Sequence, residues 1–465
     1  MSRKFQCRVI PSKLLENNGR RLDCGPYMSG AIEARQLLAD LKTDKEVLSK
    51  LTNGIYHAGR EGRTWVDSPE YGVKFFGSTD ILSADLSGLP FLSKKQVAAN
   101  PNFTIRSGWT LITRSGTTGR IAYCRPDMDG LACSEHVMRV IPDTNKINSG
   151  YLFAYLAGRF GVPLITSGTY GSIIQSIEPE HVAEIPVPRL GKVENEVHEL
   201  VQLAANLRAE ASQMIDDATK AIVAELALPD LYTSDVTKFG ISSVSSIDLR
   251  QRLDAPYHSP AALEAEAAVR SGRHPSKRLK AVTNRLFKPP IFKRLWVESE
   301  EYGRQFVSGN DAYLYEANER RYVSVRTPNF DEFIVKRGWV IFQAAGQIYG
   351  LFGRPLFVSG WLENLFCADD LYRIVPNSEE DGAYIYLFLR TPHGQALIKR
   401  QASGNSIPRV WDPHMEQFEL PWPTEDIRQQ LARPVITAYS KIDEALILQK
   451  QAIMLVERTI EEGGC

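Results

Sequence analysis

The sequence predicts a mixed α/β protein built from two tandem α+β domains, each followed by a long helix. Three features predict this fold: an internal repeat, a coiled-coil periodicity in two segments, and short apolar runs separated by glycine turns. The repeat is collinear over each half of the chain, and its matched segments are Lys4-Phe5 with Lys238-Phe239, Arg21-Leu22-Asp23 with Arg252-Leu253-Asp254, Trp65-Val66 with Trp296-Val297, Gly108-Trp109 with Gly338-Trp339, Cys133 and Arg139 with Cys367 and Arg373, and Pro186-Val187-Pro188 with Pro421-Trp422-Pro423. Two long copies indicate an internal duplication, since solenoid repeats are short and numerous.

The long helices are predicted from small and apolar residues spaced alternately three and four apart, as in the seam of a coiled coil. The first seam comprises Val197, Leu200, Ala204, Leu207, Ala211, Met214, Ala218 and Ala221, and the second comprises Val435, Ala438, Ile442, Ala445, Gln449, Ala452, Val456 and Thr459. Thr424 is a suitable N-cap for the second helix, which either begins at Pro434 or is kinked there. We expect antiparallel pairing that holds two domains apart; the alternative is that both are ordinary core helices.

These elements divide the chain into four parts. We expect a first domain at 1–192, a first long helix at 193–228, a second domain at 229–423 and a second long helix at 424–465. The globular part of the first copy is predicted to contain short strands, a tight glycine turn and a polar glycine loop, at Trp109–Thr113, Arg120–Tyr123, Val137–Ile141, Ser115–Gly119 and Thr166–Ser172. A short amphipathic helix is expected to open at Gly150. Trp65, Trp109, Trp296 and Trp339 are expected to be core residues.

Composition bounds the class of protein. A chain of 465 residues exceeds what one core usually serves, and no stretch approaches the roughly 20 apolar residues of a membrane helix. Six cysteines show no C-x-x-C pair, and the segment Met1–Phe5 lacks the apolar core of a signal peptide. We therefore expect a reduced, cytoplasmic protein without a membrane partner.

Charge argues mildly against nucleic-acid binding by bulk electrostatics, because the formal net charge is zero. One local run is basic, however, with nine lysines and arginines and no acidic residue between Arg270 and Arg294. Such a run could follow a phosphate backbone. A solvated basic loop is the alternative, and the first copy has no equally clean run at the matching place.

Several motifs follow one another in a fixed order: Arg114-Ser115-Gly116-Thr117-Thr118-Gly119-Arg120, Ser134-Glu135-His136-Val137, Tyr151-Leu152, the glycine loop ending near Gln175, Glu178-Pro179-Glu180-His181, and Ile185-Pro186-Val187-Pro188 before a long helix. This order resembles the target recognition domain of the specificity subunit of type I restriction-modification systems. The Arg-Leu-Asp openings at Arg21 and Arg252, each followed by Pro-Tyr, are also similar to the start of such domains.

This resemblance covers nearly the whole chain. It implies a protein that binds double-stranded DNA, with each domain reading one half of an asymmetric bipartite site. It further implies that the paired helices set the gap between the halves and carry methyltransferase (modification) subunits, alongside a restriction motor-nuclease subunit. The second copy departs from the pattern, since its turn reads Ala344-Ala345-Gly346-Gln347-Ile348-Tyr349-Gly350 and its counterpart of Ser134-Glu135-His136 is Ala368-Asp369-Asp370. Divergence toward different bases and decay of the second domain both remain open.

The sequence offers little support for an enzyme. Ser115–Arg120 lacks the spacing of a phosphate loop, and Ser134-Glu135-His136 lacks an evident orienting acid. We find no dinucleotide fingerprint, no zinc helix, no cysteine cluster for a metal and no amino-methyltransferase motif. We therefore expect no catalytic residue, no metal and no cofactor.

Polar side chains on the glycine turns and loops are the candidates for base contacts, because arginine suits guanine and asparagine or glutamine suits adenine. In the first copy they are Arg114, Thr117, Thr118, Arg120, Thr169, Tyr170 and Gln175; in the second they are Gln343, Gln347, Tyr349, Asn405, Ser406 and Arg409. Each could instead be a solvated or turn-stabilising residue. The favoured function is the DNA-recognition subunit of a type I complex, and the rivals are a specificity chain serving a type II-like combined methylase-nuclease and a two-domain protein scaffold with no DNA role.

Overall fold

The computed structural model describes residues 7–17, 21–171, 175–231, 241–247, 249, 252–315 and 320–464; Lys4-Phe5, Lys238-Phe239 and Ser172 lie outside these ranges. The helices are α1 Ser12–Asn17, α2 Gly25–Met28, α3 Ala31–Asp40, α4 Lys94–Ala99, α5 Ser149–Ala157, α6 Gly161–Thr166, α7 Pro179–Ala183, α8 Lys192–Glu225, α9 Pro260–Arg270, α10 Phe330–Phe333, α11 Glu379–Arg390, α12 Pro392–Arg400, α13 Asp412–Glu416 and α14 Glu425–Glu461. The strands are β1 Lys45–Val47, β2 Thr52–His57, β3 Trp65–Val66, β4 Gly72–Phe76, β5 Phe91–Ser93, β6 Thr110–Thr113, β7 Ile121–Tyr123, β8 Ala132–Cys133, β9 Val137–Pro142, β10 Pro186–Pro188, β11 Ser276–Arg278, β12 Thr283–Phe287, β13 Trp296–Val297, β14 Gly303–Val307, β15 Tyr322–Ser324, β16 Val340–Gln343, β17 Pro355–Phe357, β18 Phe366–Cys367, β19 Leu371–Pro376 and β20 Glu419–Pro421. The mixed α/β class with two long helices is confirmed.

The two halves contain the same three sheets in the same strand order. The first half has sheets β2-β9-β6-β7, β3-β5-β4-β8 and β1-β10, and the second half has β12-β19-β16-β17, β13-β15-β14-β18 and β11-β20. A register shift recurs too, between Thr52 and Gly54 in the first half and between Thr283 and Arg285 in the second. The internal duplication is therefore confirmed in the architecture. One predicted match is wrong by two residues: Lys45 pairs with Pro188 where Ser276 pairs with Pro421, so Pro188, not Pro186, corresponds to Pro421.

The sheet built around β6 is apolar on both faces. Successive side chains of a strand point to opposite sides. Leu111 of β6 packs in one buried cluster, with Ala122 and Val137, whereas Ile112 packs in another, with Met138 and the residues of α5. This two-sided burial explains why these strands are short continuous apolar runs with little polar alternation.

A buried arginine holds the loop before β9 in the first half, and a second one holds the matching loop in the second half. The Arg139 guanidinium donates to the carbonyls of Ser134 at 2.8 Å and Val137 at 2.5 Å, and also to that of Cys133. The Arg373 guanidinium donates in the same way to Ala368 at 2.9 Å, Cys367 at 2.7 Å and Leu371. Burial lowers the pKa of Arg373 to about 10. The repeated Cys-to-Arg spacing therefore encodes a main-chain clamp.

The chain forms two compact units, at 1–209 with 444–465 and at 210–443, so each unit contains part of both long helices. In the first unit, Val197 and Val201 of α8 share a buried cluster with Val456 of α14, while Ala204 and Leu207 pack with Ala445 and Leu448. In the second unit, Lys441 donates to Glu210 at 2.8 Å. Residues of increasing number along α8 contact residues of decreasing number along α14, so the two helices pair antiparallel, as predicted. The four-part division at 192, 228 and 423 stays a prediction.

The seam of α8 differs from the prediction toward its C-terminal end. Ile215 and Ile222 are buried there, whereas Met214 is half-buried and Ala221 is exposed. A straight helix with 3.6 residues per turn drifts by about 20° per heptad against a 3.5-residue repeat, so the buried position moves toward the next residue along the helix. In α14 the predicted seam is buried except for half-buried Gln449, which accepts a hydrogen bond from Arg208 at 2.5 Å. That helix begins at Glu425 and contains Pro434 in its interior.

Candidate nucleic-acid interface

In the first unit the glycine turn at 114–120 and the described parts of the glycine loop, 168–171 and 175–177, lie against each other, and together we call them the first loop pair. The main-chain groups of Tyr170 and Ser176 exchange two hydrogen bonds of 2.9 Å, and the Ile177 N–H donates to the Arg114 carbonyl at 2.8 Å. The Gly116 N–H donates to the Gln175 carbonyl at 3.3 Å. Candidate residues that lie far apart in sequence therefore share one surface.

The second loop pair consists of the turn at 344–350 and the loop at 401–410, and it has the same main-chain bonds. Ser403 and Arg409 exchange bonds of 3.0 and 2.9 Å, and the Val410 N–H donates to the Ala344 carbonyl at 2.9 Å. The Gly346 N–H donates to the Pro408 carbonyl at 3.1 Å. The shifted glycine noted in the sequence therefore leaves the frame of the loops unchanged.

The candidate base-contact residues differ in how much of each side chain reaches solvent. Those that are exposed are Thr117, Tyr170, Gln175, Gln347, Tyr349, Asn405 and Ser406. Those that are half-buried are Arg114, Thr118, Arg120, Thr169, Gln343 and Arg409. The exposed group spans both loop pairs, so each unit presents its own polar surface.

Arg114 is engaged within its own unit. Its guanidinium donates to the Glu178 carboxylate at 2.7 Å and to the Ile177 carbonyl at 3.1 Å, and only 12% of its side chain is exposed. The Tyr170 hydroxyl donates to the same carboxylate, and this hydrogen bond raises the pKa of Tyr170. Glu178 thus ties the turn to the loop, a role that the sequence motif Glu178-Pro179 did not reveal.

The glutamines of the second loop pair are also partly engaged. The Gln343 amide donates to the Ala345 carbonyl at 2.9 Å, and the Gln347 amide donates to the Ser406 carbonyl at 3.3 Å. Tyr349 is 75% exposed, which is the largest exposure of any aromatic side chain among the described residues. An exposed ring on a loop pair that also carries exposed amide and hydroxyl side chains suits contact with a base edge or face.

The Arg-Leu-Asp motif anchors the base of each loop. Arg21 donates to the carbonyls of Ser167 at 3.4 Å and Thr169 at 2.5 Å, and it pairs with Asp23 at 2.7 Å. Arg252 makes the matching contacts with the carbonyls of Arg400 at 3.3 Å and Ala402 at 2.6 Å. The motif therefore holds the loop to the end of the preceding helix, at a position where orphan carbonyls need donors.

A cleft of about 510 Å³ adjoins the first loop pair, lined by Arg60, Arg63, Trp65, Glu135 and His136. The His136 ring bonds to the Ser115 hydroxyl of the glycine turn. Burial alone would raise the pKa of Glu135, but the hydrogen bond from Arg63 at 2.8 Å holds it below its usual value. The Ser134-Glu135-His136 segment thus braces the turn.

The expectation of a core position is wrong for Trp65, which is 48% exposed. Its ring meets Phe75 edge-on at 5.3 Å, and the Arg63 guanidinium covers the same phenylalanine at 4.9 Å. The second unit repeats this cluster, with Trp296 against Phe306 at 5.4 Å and Arg294 over Phe306 at 5.3 Å. Trp109 and Trp339 do pack against buried clusters.

The basic run between Arg270 and Arg294 is not a continuous positive strip, because acidic residues of the second unit pair with much of it. The pairs are Arg270 with Glu266 and Glu419, Arg273 with Glu225, Lys280 with Glu416, and Arg285 with Glu332. Lys288, Arg294 and Arg409 act on the carboxyl of Asp370, whose pKa is nevertheless raised, chiefly by burial. Among the described residues, no cluster of His, Cys, Asp and Glu could hold a metal ion.

No family model matches the chain, and no curated protein matches it. Solved structures similar to it include the type I restriction-modification S subunit from M. genitalium, at 11% identity and a TM-score of 0.38, covering 91% of this chain and 96% of that one. They also include the HsdS subunit from Thermoanaerobacter tengcongensis, at 15% identity and a TM-score of 0.27, covering 90% and 96%. The type IIG restriction endonuclease BpuSI is similar over 46% of this chain, at 10% identity and a TM-score of 0.24. In the described part of the chain, no helix combines the length and apolarity needed to cross a membrane.

Proposed function

We propose that the chain is the DNA sequence-recognition subunit of a type I restriction-modification complex and that it reads an asymmetric bipartite site. One observation carries this proposal: a pair of loops is built twice on the same main-chain frame, with different polar side chains exposed on each copy. Phosphate contacts position a protein on DNA, whereas side chains at base edges specify sequence. Two equivalent frames with different surfaces suit two different half-sites.

The exposed side chains are the first candidates for base contacts. In the first loop pair these are Thr117, Tyr170 and Gln175, with Thr118, Thr169 and Arg120 beside them. In the second they are Gln347, Tyr349, Asn405 and Ser406, with Gln343 and Arg409 beside them. Arg114 has to exchange its bond with Glu178 for a guanine before it reads a base, so its first role is to hold the loops together.

The long helices are the proposed binding surface for the methyltransferase subunits, with the motor-nuclease joining the same complex. Leu203 of α8 and Ile447 and Met454 of α14 are large apolar side chains that are about half exposed. Apolar side chains at the surface of a charged helix pair favour a protein partner. The chain itself supplies recognition in this proposal, and its partners supply the chemistry.

The test compares the methylated motifs in a host that carries the chain and its partners with those in a host that lacks the chain. We expect one motif with two specified parts separated by unspecified bases, the parts centred about one helical turn apart. Asn405→Ala should relax one part, and Thr117→Ala should relax only the other. A single continuous palindrome, or loss of both parts in either variant, would contradict the proposal.

Binding to duplex DNA at increasing salt concentration separates the rivals. A protein scaffold shows no sequence preference at any salt concentration, whereas a recognition subunit keeps its preference as nonspecific binding falls. A partner that combines methylase and nuclease in one chain would instead indicate a type II-like system.

A further inference from the structure

The second unit contains a cavity of about 340 Å³ between α9, the end of α12, α13 and the β11-β20 sheet. Its charged lining comprises Arg252, Arg270, Arg278, Arg400, Glu266 and Glu419. Buried apolar side chains, including Leu397 and Phe418, form its floor. The cavity is separate from the exposed side chains of either loop pair.

The charges around this cavity do not balance. Glu266 accepts from Arg270 at 3.0 Å and Arg400 at 2.7 Å, and Glu419 accepts from Arg270 at 3.0 Å. Arg252 pairs with Asp254, outside the lining. Among the described residues, Arg278 has no acidic partner, and it is exposed at the mouth of the cavity. An excess of positive charge therefore faces the space.

Two nitrogen atoms in the lining also lack partners. Arg400 is only 7% exposed, and its Nε is buried without an acceptor. The Nδ1 of His414, which lines the same cavity, is likewise buried without a partner. Buried donors left unpaired are costly, and few are found in folded proteins. The Arg400 guanidinium lies 4.1 Å from the centre of the Tyr257 ring, which fixes its position.

The first unit shows that the fold does not require these charges. The buried residues of α3 and α9 correspond in order: Ala31, Ala34 and Leu38 match Ala262, Ala265 and Val269. In the two-stranded sheets, Val47 pairs with Pro186 in the first unit, and Arg278 pairs with Glu419 at the same place in the second. By this alignment and the contacts of Arg21 and Arg252, the first unit has Ala39, Val47, Ser167 and Pro186 where the second has Arg270, Arg278, Arg400 and Glu419. At the two other charged positions, Arg252 corresponds to Arg21 and Glu266 corresponds to Arg35. The first unit therefore keeps one arginine of the set, and the full charged cluster is specific to the second copy.

We propose that this cavity binds a small phosphate-bearing molecule. Arginine guanidinium groups match phosphate oxygens with paired hydrogen bonds, and they are preferred over lysine where that geometry matters. The volume lies at the lower end of the range for small-molecule pockets, which suits phosphate, diphosphate or a small phosphate ester. Phosphate oxygens would accept hydrogen bonds from Arg278, the arginine of the lining that has no acidic partner among the described residues.

The experiment measures binding of inorganic phosphate and pyrophosphate to the full chain by isothermal titration calorimetry in 150 mM sodium chloride. We expect saturable binding of at least one probe with a stoichiometry of one. Arg278→Glu should weaken it about tenfold or more, because a charge-assisted hydrogen bond is lost and a repulsive charge is added. The matched control is Lys277→Glu, the same change of charge on the adjacent exposed residue of β11, which does not line the cavity.

Each other outcome overturns the proposal. Absence of saturable binding by both probes excludes the site. Equal weakening by Arg278→Glu and Lys277→Glu indicates general attraction to a basic surface. Displacement of the bound probe by duplex DNA that carries no recognition motif assigns these arginines to the phosphate backbone of DNA and removes the small-molecule site. None of these results depends on whether the loop pairs read DNA.

Discussion

Asp443 of α14 is a buried carboxyl group whose removal should stabilise the protein at neutral pH. Its side chain is 17% exposed, accepts a hydrogen bond from the Ser359 hydroxyl at 3.1 Å and lies 4.0 Å from the Arg337 guanidinium. Burial raises the pKa of Asp443 to about 6, and these two neighbours offset the effect only in part. Asp443→Asn keeps an acceptor for Ser359 and removes the charge that burial penalises.

The sign follows from the two pKa values. The unfolded chain has the ordinary value of 3.8 and the folded chain has about 6, so folding favours the protonated carboxyl. The contribution of Asp443 to the free energy of unfolding is fully present below the pKa of the unfolded chain. It is lost as the pH rises through the pKa of the folded chain, because the carboxyl group then becomes charged. The loss in the free energy of unfolding is about 1 kcal/mol at pH 4.5 and about 3 kcal/mol at pH 7. The variant should recover these amounts.

Scanning calorimetry of the full chain at both pH values measures the effect. We expect Asp443→Asn to raise the melting temperature of its transition by roughly 5 to 10 °C at pH 7, and by about a third of that at pH 4.5. Glu444→Gln is the matched control, because its side chain is exposed on the same helix; its shift should be small and equal at the two pH values. A lower melting temperature for Asp443→Asn at pH 7, or an equal gain at both pH values, would refute the reasoning.

Three further predictions concern the helix pair, a main-chain clamp and a loop pair. Leu207→Glu places a charge in the buried cluster with Ala445. We expect this variant to lose co-purification with the methyltransferase and to bind the full DNA site more weakly, while circular dichroism shows that each unit stays folded. Retained co-purification would exclude the helix contact. Arg373→Met leaves three buried carbonyls without their donor. Urea unfolding should therefore show that the free energy of unfolding of the unit that contains Arg373 falls by about 3 to 5 kcal/mol. A fall of less than about 1 kcal/mol would contradict the role of Arg373 as a main-chain clamp. Glu178→Gln removes the ion pair with Arg114 and leaves the bond to the Ile177 carbonyl, so we expect methylome sequencing to show altered preference in one half-site only; an unchanged motif would contradict the role of Glu178.

The sequence predicted the features that depend on local periodicity and on comparison of the two copies. The duplication follows from comparison of the two copies, and the long helices follow from a periodicity that each segment displays by itself. The seam shifted by one residue near Met214 because the real helix does not keep a strict heptad. Gln449 fits the seam only because Arg208, on the other helix, bonds to it.

The candidate site was harder to predict, because its geometry comes from contacts between distant segments. The turn at 114–120 meets the loop at 168–177 through main-chain hydrogen bonds, which leave no mark on residue type. Trp65 was expected to be buried because tryptophan usually is, yet β3 is a short edge strand and leaves one side of the ring in solvent. The acidic partners of the basic run are likewise distant in sequence, apart from Glu266.

In the described part of the chain, the hydrogen bonds from the buried arginines to the loop they hold are all made to carbonyl oxygens. A peptide carbonyl is the same for every amino acid, so the clamp does not register which residues the loop carries. Replacement of Ser134-Glu135-His136 by Ala368-Asp369-Asp370 leaves its hydrogen bonds in place. Surface residues of one copy can therefore be substituted while the hydrogen bonds that stabilise its interior stay the same. The two copies can come to differ in the residues they expose and still share one fold.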